Sequence, residues 1–369
     1  MTPRFLLSGY YGFNNLGDEA LLEIIVEQLR RRFPGCGVDV LSNDPAATAR
    51  TYGVESTPRA NLRAVRAAIE RADIVLSGGG GLLQNVTSIR SLLYYAGIIR
   101  SAVRAKKRTM IFAQSIGPLD FWGKLIVRVM CRGLSVATVR DERSRTLLEP
   151  LIPNTPVRRT ADPVFLFEPG VAPLDLAAEG LGDDSHPLVV VSVRRWTGAD
   201  ATATALALVV DRLAEEHGAR VAFLPLGGPS DAEAATVVIR KCQSSPVLLP
   251  AYPLAQAAQV LSRAQLVIGM RLHALIIAAR LGVPFVALPY DPKVSALLED
   301  LHYPLPPLFV PGETLPPSEL MHARIDEAWE RRAELAAHLR ARGAEIVQLA
   351  ARNFDVLAEE VAKISPPLR

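Results

Sequence analysis

The chain has 369 residues, too many for one ordinary hydrophobic core but suited to two domains of common size. Hydrophobic residues make up 49% of the sequence and charged residues 21%, and no apolar run reaches the roughly 18 residues that a membrane span requires. The net charge is only +3, and no dense run of basic residues is present, which argues against a nucleic-acid partner. We therefore expect a soluble protein of two well-packed domains.

The amino terminus and the cysteines indicate the cellular compartment. Residues 1–9 contain a short apolar run, but no small-residue cleavage site follows it, so no export is predicted. Cys36, Cys131 and Cys242 are odd in number and widely spaced, which argues against a disulfide framework and against a zinc site. We expect buried thiols, a cytoplasmic location and no bound metal.

Short β-rich runs alternate with amphipathic stretches through the first half of the chain. The predicted strands are 5–8, 38–42, 74–77, 109–113 and 135–139. The predicted helices are 18–33, 61–71, 88–105 and 122–131. This alternation predicts a parallel sheet that is covered by helices on both faces.

The alternation is interrupted and then restarts. Residues 151–187 are rich in proline, glycine and acidic residues, and we place a linker at 166–187, between a first domain of 1–165 and a second of 188–343. The predicted strands of the second half are 188–193, 221–225, 247–249, 266–268 and 285–288. Its predicted helices are 201–217, 231–242, 254–262, 272–281 and 294–301, and residues 344–369 form a terminal helix that can cross back onto the first domain. The predicted fold class is α/β, with two Rossmann-like, doubly wound parallel-sheet domains facing a crevice.

The loop of residues 9–19 leaves a strand and enters a helix. Its glycines at 9, 12 and 17 let the backbone approach a ligand at the positive end of the helix, and Asn14 and Asp18 are candidate substrate-binding residues. The glycine spacing does not match the dinucleotide fingerprint, which disfavours an NAD site. A tight turn capped by Asp18 explains the spacing equally well.

Four consecutive glycines, Gly78, Gly79, Gly80 and Gly81, follow the predicted strand 74–77. Such a run carries a large conformational-entropy cost in folding, and a tight turn needs only one or two glycines. Close approach of a ligand or of the facing loop is the better explanation. The run lacks the Gly-Lys-Ser/Thr ending of a Walker loop, which disfavours ATP hydrolysis.

Arginines follow a predicted strand in each domain. Arg140 closes the strand 135–139, where it can clamp a carboxylate or phosphate or can merely pair with Asp141 or Glu142. Both possibilities stay open. Arg194 and Arg195 follow the first predicted strand of the second domain, as Arg140 follows its strand in the first. One of the two is expected to face the ligand.

The densest group of chemically capable residues lies in the second domain. Arg271 and His273 stand at a predicted helix amino terminus directly after a strand, where free backbone N–H groups favour a phosphate. Lys293 opens the next strand-to-helix turn. A lone histidine is usually structural, but here a cation, a titratable group and a helix end converge, which indicates a functional site.

These segments together resemble the polysaccharide pyruvyl transferase family, most closely its bacterial members that pyruvylate secondary cell-wall polymers for anchoring surface-layer proteins. The matching segments are 9–19, 77–88, 113–118, 138–141, 161–163, 269–274 and 290–293. Asn85 is a departure, because the family pattern has aspartate there, and no acid role is placed on it. The resemblance covers most of the chain from residue 5 to about residue 300.

The resemblance implies a fold similar to that of the GT-B glycosyltransferases, phosphoenolpyruvate as donor with no cofactor, and a pyruvate ketal on a sugar as product. It assigns catalytic roles to Arg140, His273 and Lys293 and a donor-phosphate contact to Arg271. Family acceptors are lipid-linked, so a lipid-linked saccharide is the expected partner. Contact with the inner membrane face is then peripheral, through surface arginines or an exposed apolar patch.

Two other readings remain open. A GT-B glycosyltransferase using a nucleotide sugar would share the architecture and the phosphate site at a helix end, and would release a nucleoside diphosphate instead of phosphate. A non-catalytic sugar-phosphate-binding protein would bind its ligand tightly without turnover.

Overall fold

A computed structural model describes residues 2–86, 88–170, 174–182, 185–195, 199–310 and 313–364. The chain divides into two compact units. Unit 1 comprises the residues up to Leu166 together with those from Val347 onward, and unit 2 is Phe167–Ile346. Each unit contains one parallel sheet with helices packed on it. The predicted α/β fold with two parallel-sheet domains is confirmed.

Unit 1 is built on a sheet of seven parallel strands in the order β3-β2-β1-β4-β5-β6-β7. The strands are β1 Arg4–Tyr11, β2 Gly37–Ser42, β3 Glu55–Pro58, β4 Ile74–Gly78, β5 Arg108–Gln114, β6 Val136–Val139 and β7 Val157–Arg159. The helices are α1 Leu16–Arg32, α2 Pro45–Tyr52, α3 Leu62–Arg71, α4 Ile89–Arg104, α5 Phe121–Met130 and α6 Glu142–Leu148. The central strand β4 is buried along its whole length, because helices cover both faces, and its sequence is accordingly almost wholly apolar.

The sequence reading missed four short elements of unit 1. Helix α2 and strand β3 lie between two predicted elements, and α6 and β7 lie after the strand 135–139. Strands β3 and β7 are the two edge strands of the sheet, and most of their residues are exposed or half-buried. They therefore lack the continuous apolar run of a central strand.

Unit 2 is built on five parallel strands in the order β10-β9-β8-β11-β12. The strands are β8 Leu188–Ser192, β9 Arg220–Phe223, β10 Val247–Leu248, β11 Ala264–Gly269 and β12 Phe285–Ala287. The helices are α7 Ala199–His217, α8 Pro229–Ile239, α9 Leu254–Arg263, α10 Leu272–Leu281, α11 Pro292–Leu301, α12 Ser318–Glu330 and α13 Arg332–Ala362.

The carboxyl-terminal half of α13 packs on unit 1. The Phe354 ring lies 5.0 Å from that of Phe112 at a steep angle. The Asn353 amide donates to the carbonyl of Ala161 at 2.8 Å and accepts from the Thr160 hydroxyl at 2.8 Å. The two hydrogen bonds join residues about 190 positions apart in the sequence, so unit 1 includes a segment that follows unit 2 in the chain.

The three cysteines are free thiols. Cys131 is buried, and burial raises its pKa to about 12, so it stays protonated. Cys36 and Cys242 are half-buried, whereas the sequence reading expected buried thiols throughout.

Candidate functional site

The predicted catalytic and substrate-binding residues of unit 2 follow three adjacent strands. In the sheet, Gly269 at the end of β11 pairs with Ser192 of β8 on one side and with Ala287 of β12 on the other. Arg194 follows β8, Arg271 and His273 follow β11, and Lys293 follows β12. The structure therefore brings all four to the carboxyl edge of one sheet, where ligands bind in folds of this kind.

Arg194 is oriented by the loop after β12. Its Nη1 atom donates to the Tyr290 hydroxyl at 2.7 Å, and its guanidinium lies 4.4 Å above the Tyr290 ring. The hydrogen bond and the cation–π contact hold the arginine toward the loop after β12, which leads to Lys293. Arg195 is exposed, whereas Arg194 is half-buried. The geometry therefore favours Arg194 over Arg195 as the residue that faces this edge.

Arg271 is held by an aspartate that the sequence reading did not identify. It is the N-cap residue of α10, and its Nε atom donates to Asp231 Oδ2 at 2.7 Å while its Nη2 atom donates to Asp231 Oδ1. Asp231, on α8, is fully buried and also accepts from the Gly227 N–H at 2.7 Å. This bidentate pair fixes the plane of the guanidinium at the sheet edge.

Gly227 is required by the same pair. A Cβ atom at this position would lie 1.9 Å from Arg271 Nη2 and 2.8 Å from Asp231 Oδ2. The only sequence signal for this arrangement is the Gly227-Gly228-Pro229 turn that follows β9 and opens α8. The composition of that turn does not indicate which distant side chain packs against it, so the contact with Arg271 could not be predicted from the sequence.

We expect Gly227→Ala to destabilise the protein by about 1–3 kcal/mol, because the new methyl group overlaps the Arg271 guanidinium. Urea denaturation monitored by circular dichroism measures this. Gly343→Ala in α13 is the matched control, since its Cβ would meet nothing closer than 3.9 Å and alanine favours helix. Equal stabilities of the two variants would contradict the packing described for Gly227.

His273 and Lys293 lie in the first turns of two neighbouring helices. His273 is half-buried in the first turn of α10, whose N-cap arginine makes no side-chain capping bond. An arginine has only donors, so it cannot satisfy the N–H groups of that turn, and an anion is favoured there. Helix α11 is capped, because the Asp291 side chain accepts from the Lys293 N–H at 3.0 Å. The Lys293 side chain turns toward the same carboxylate, with its Nζ atom 3.7 Å from Asp291 Oδ2.

In unit 1, the glycine run is explained largely by the packing of α1. Gly79 and Gly80 both have φ of +70°, and a Cβ would lie 2.9 Å from Leu21 at Gly79 and 2.9 Å from Asp18 at Gly80. Of the two explanations offered by the sequence, close approach of the facing segment therefore accounts for Gly79 and Gly80. Gly78 is buried and Gly81 is half-buried.

A tyrosine links the glycine run to the first loop. The Tyr11 hydroxyl donates to the Gly78 carbonyl at 2.9 Å. Burial, and then the nearby carboxylates of Asp18 and Glu19, raise the pKa of Tyr11 well above its usual value. Tyr11 therefore stays protonated and remains a donor to the glycine backbone.

The cap of α1 differs from the expected one. Asn15, and not Asp18, is the N-cap, and its side chain accepts from the Gly17 N–H at 3.3 Å. Asp18 lies in the first turn, where its carboxylate accepts from the Asn15 amide. Asn14 adopts φ of +58°, a conformation that asparagine tolerates better than most residues. The turn itself thus uses Asn14, Asn15 and Asp18.

Arg140 lies inside a buried polar network at the carboxyl edge of the unit 1 sheet. Its side chain is only 6% exposed and forms an ion pair with Asp162, which is 4% exposed. Its Nε atom donates to Ser115 Oγ at 2.7 Å, and that hydroxyl donates to Asp141 Oδ2 at 2.8 Å. Segments that are separate in the sequence but share the family resemblance therefore meet here.

Arg140 pairs with a carboxylate other than the two that the sequence offered as possible partners. Asp141 caps α6 by accepting from the Ser144 N–H at 2.7 Å, and Glu142 pairs with Arg145 at 2.6 Å. The partner is Asp162, which follows the neighbouring strand β7. Since β7 was not predicted, this neighbour was not available to the sequence reading.

The carboxyl edge of the unit 2 sheet offers cations and a titratable group, and the chemistry that these residues suit is anion binding with proton transfer. Arg194, Arg271 and Lys293 supply positive charge in unit 2, together with the uncapped end of α10. Among the described residues, no group of three or more His, Cys, Asp or Glu side chains is placed to hold a metal ion.

The solved structures that are similar to this chain share its fold at low sequence identity. HepE of Anabaena, in complex with UDP and glucose, is 14% identical with a TM-score of 0.66, and the match covers 98% of this chain and 100% of that one. A UDP-GlcNAc 2-epimerase from Neisseria meningitidis, bound to UDP-GlcNAc, is 11% identical with a TM-score of 0.63 over 96% and 100% of the two chains. A glycosyltransferase from Rickettsia africae is 10% identical with a TM-score of 0.66 over 98% and 99%. The fold is therefore GT-B-like.

No curated protein matches the sequence. A family match, in contrast, extends over most of the chain: residues 15–292 match the family described as polysaccharide pyruvyl transferase. That range includes the glycine run, the Arg140 network and the residues at the carboxyl edge of unit 2 up to Pro292, and it ends one residue before Lys293. The chain belongs to the polysaccharide pyruvyl transferase family.

Proposed function

We propose that the protein transfers the pyruvyl group of phosphoenolpyruvate to a saccharide, releasing phosphate and leaving a cyclic ketal on two hydroxyls of one sugar. The observation that carries the proposal is the set of Arg194, Arg271, His273 and Lys293 at one sheet edge, in a chain that belongs to a pyruvyl transferase family. The acceptor we propose is a lipid-linked precursor of a cell-wall polysaccharide, modified in the cytoplasm.

The donor carries a carboxylate and a phosphate close together, so its site needs several fixed cations. Arg194 is fixed by Tyr290, and Arg271 is fixed by Asp231, before any ligand arrives. Cations that are already oriented stabilise developing negative charge without reorganising during the reaction. Lys293 and the amino terminus of α10 add positive potential at the same edge.

The chemistry requires one proton on carbon and one leaving group. A proton added to the methylene carbon of the enol gives the methyl group and leaves positive charge at the adjacent carbon. A sugar hydroxyl forms a bond to that carbon and loses its proton. Phosphate then departs with the electrons of its carbon–oxygen bond. A second hydroxyl of the same sugar bonds to the carbon and loses its proton, which closes the ring. We assign the proton on carbon to His273, the residue type suited to proton transfer near neutral pH.

Donor exchange tests the proposal. The protein is incubated with phosphoenolpyruvate and a panel of lipid-linked saccharides, and separately with nucleotide sugars and the same panel. We expect inorganic phosphate release and an acceptor heavier by one pyruvate less one water. Release of UDP from a UDP-sugar, with no use of phosphoenolpyruvate, would instead establish a glycosyltransferase, the activity named for the Rickettsia structure of similar fold. Tight binding of phosphoenolpyruvate without turnover would indicate a binding protein.

We expect the removal of Arg271 to weaken donor binding more than it slows chemistry, because a phosphate contact exists before any proton moves. Arg271→Ala alone would leave Asp231 buried without its partner, so the informative variant is Arg271→Ala with Asp231→Ala. Its KM for phosphoenolpyruvate should rise roughly tenfold or more, as expected when a charge-assisted hydrogen bond is lost, with a smaller change in kcat.

Unit 2 offers a matched control pair. Arg212 and Asp326 form a second bidentate ion pair, with the Nη2 and Oδ2 atoms 2.7 Å apart, between α7 and α12. Arg212→Ala with Asp326→Ala should leave the KM for the donor unchanged. A folded Arg271→Ala, Asp231→Ala protein with a normal KM would remove Arg271 from the donor site.

A further inference from the structure

Helix α5 of unit 1 presents an apolar face to solvent. Phe121 is 73% exposed, Trp122 61% and Val129 57%, and Leu125 is also exposed. The two aromatic rings contact each other edge to face, with centroids 5.4 Å apart. Large apolar side chains that are exposed singly are ordinary, but four on one short helix mark a surface that contacts something.

The four side chains share one side of the helix. At 3.6 residues per turn they fall within an arc of about 100°, while Gly123 and Val127 on the far side are buried against unit 1. Lys124 and Arg128 lie beside the apolar arc, and both are exposed. The helix thus has a buried face, an exposed apolar face and a cationic border.

The loop before α4 lies against the start of α5. Asn85 Oδ1 accepts from the Asp120 N–H at 3.1 Å, and a Cβ at Gly123 would lie 2.9 Å from Asn85. Since Gly123 is on the buried side of the helix, this loop leaves the apolar arc exposed. We define the α5 face as Phe121, Trp122, Leu125 and Val129.

Positive charge is concentrated in the same part of the chain. Residues 89–132 contain nine Lys and Arg residues and one acidic residue, Asp120, a net charge of +8 (9 − 1), although the whole chain is only +3. Of the nine, Arg108 is paired with Glu360 of α13. The turn Glu149–Leu151 packs against α5, and its Glu149 is itself paired with Arg145 at 3.0 Å.

We propose that the α5 face docks on an anionic lipid bilayer, with the apolar side chains entering the headgroup region and Lys124, Arg128 and Arg132 contacting lipid phosphates. An exposed apolar helix face with a basic border is the pattern of interfacial helices, and basic residues add attraction to anionic leaflets. A second copy of the chain fits less well, because a two-fold interface through this face would bring the two sets of cations together. None of the helices in the described ranges has the length and apolar character needed to cross a bilayer.

The position of the face on unit 1 suits a lipid-linked acceptor. Helix α5 begins at the carboxyl edge of the sheet, after the segment that leaves β5, and the glycine run leaves β4 at the same edge. Docking would hold this edge toward the membrane surface. The docking itself needs no donor or acceptor, so its test is independent of the proposed reaction.

Sedimentation of the full-length protein with vesicles tests the proposal, using phosphatidylcholine alone and phosphatidylcholine mixed with phosphatidylglycerol. We expect binding to the anionic vesicles that weakens with added salt. Phe121→Ser with Trp122→Ser should abolish it. Lys124→Glu with Arg128→Glu should weaken it roughly tenfold or more. Because these side chains are exposed, both variants should fold normally.

Control variants change exposed apolar and exposed basic residues elsewhere in the chain. Leu208→Ser with Val237→Ser in unit 2, 44% and 42% exposed, and Arg50→Glu with Arg240→Glu should bind vesicles as the unaltered protein does. Absence of vesicle binding would overturn the proposal. So would equal binding to neutral and anionic vesicles that the Lys124→Glu, Arg128→Glu variant retains. Self-association that the Phe121→Ser, Trp122→Ser variant abolishes, without vesicle binding, would assign the face to a second copy.

Discussion

Replacing His273 by alanine is expected to lower the maximal rate of pyruvyl transfer by roughly a hundredfold or more, while the KM for phosphoenolpyruvate changes much less. In the proposed mechanism a general acid acts only as the proton moves, whereas the donor is held by three other side chains, those of Arg194, Arg271 and Lys293. Steady-state kinetics with a saturating acceptor measure both quantities.

A structural role for His273 predicts a different result. If the side chain only packs the first turn of α10, the alanine variant loses thermal stability, and its rate falls in proportion to the unfolded fraction. His338→Ala is the matched control, since His338 is a half-buried histidine of the same unit whose Nε2 lies 2.9 Å from the Leu301 carbonyl oxygen. A folded His273→Ala protein with a near-normal rate would transfer the proton role to Lys293.

Arg140→Ala is expected to destabilise the protein by about 3–5 kcal/mol, because it removes the buried guanidinium that offsets the charge of the buried Asp162 carboxylate. Ser115 would lose the donor to its hydroxyl as well. Guanidinium denaturation, followed by circular dichroism, measures the free energy of unfolding. The effect should be present with no substrate, so it separates the structural contribution of Arg140 from a catalytic one.

Arg158 provides the comparison in the same unit. It pairs with Glu359 at 3.0 Å, but both side chains are about half exposed, so Arg158→Ala should cost at most about 1 kcal/mol. Arg140→Lys keeps the positive charge beside Asp162, and we expect it to fold. If that variant is stable but inactive, Arg140 also acts on the substrate; an unchanged stability of Arg140→Ala would refute the buried pair.

Local patterns determined the main elements and the identity of the residues at the unit 2 edge. Buried parallel strands need continuous apolar runs, and the helices that cover them need one apolar face. The strand 74–77 was therefore recognisable from its apolar run, and the helix 61–71 from its amphipathic period. Arg271, His273 and Lys293 were identified because each follows a strand, and parallel strands place such residues at one edge; Arg194 and Arg195 were named together on the same ground, with no choice between them. The edge strand β7 was not predicted, because a half-exposed segment of three residues has no apolar run or alternation long enough to indicate a strand.

Which charges pair was decided by the tertiary structure. Asp231 lies 40 residues before Arg271, and Asp162 lies 22 residues after Arg140, on elements that meet only when the sheets form. Sequence-adjacent carboxylates at 141 and 142 were the natural candidates, but both serve α6. The packing partners of the glycines were also decided by the tertiary structure. The run of four glycines indicated a close approach, but not by which element. The partner is α1 for Gly79 and Gly80 and the Arg271 guanidinium for Gly227, and both depend on how helices pack on the sheet. Local sequence sets backbone preference and periodicity, whereas burial and charge pairing depend on long-range contacts that only the packed chain makes.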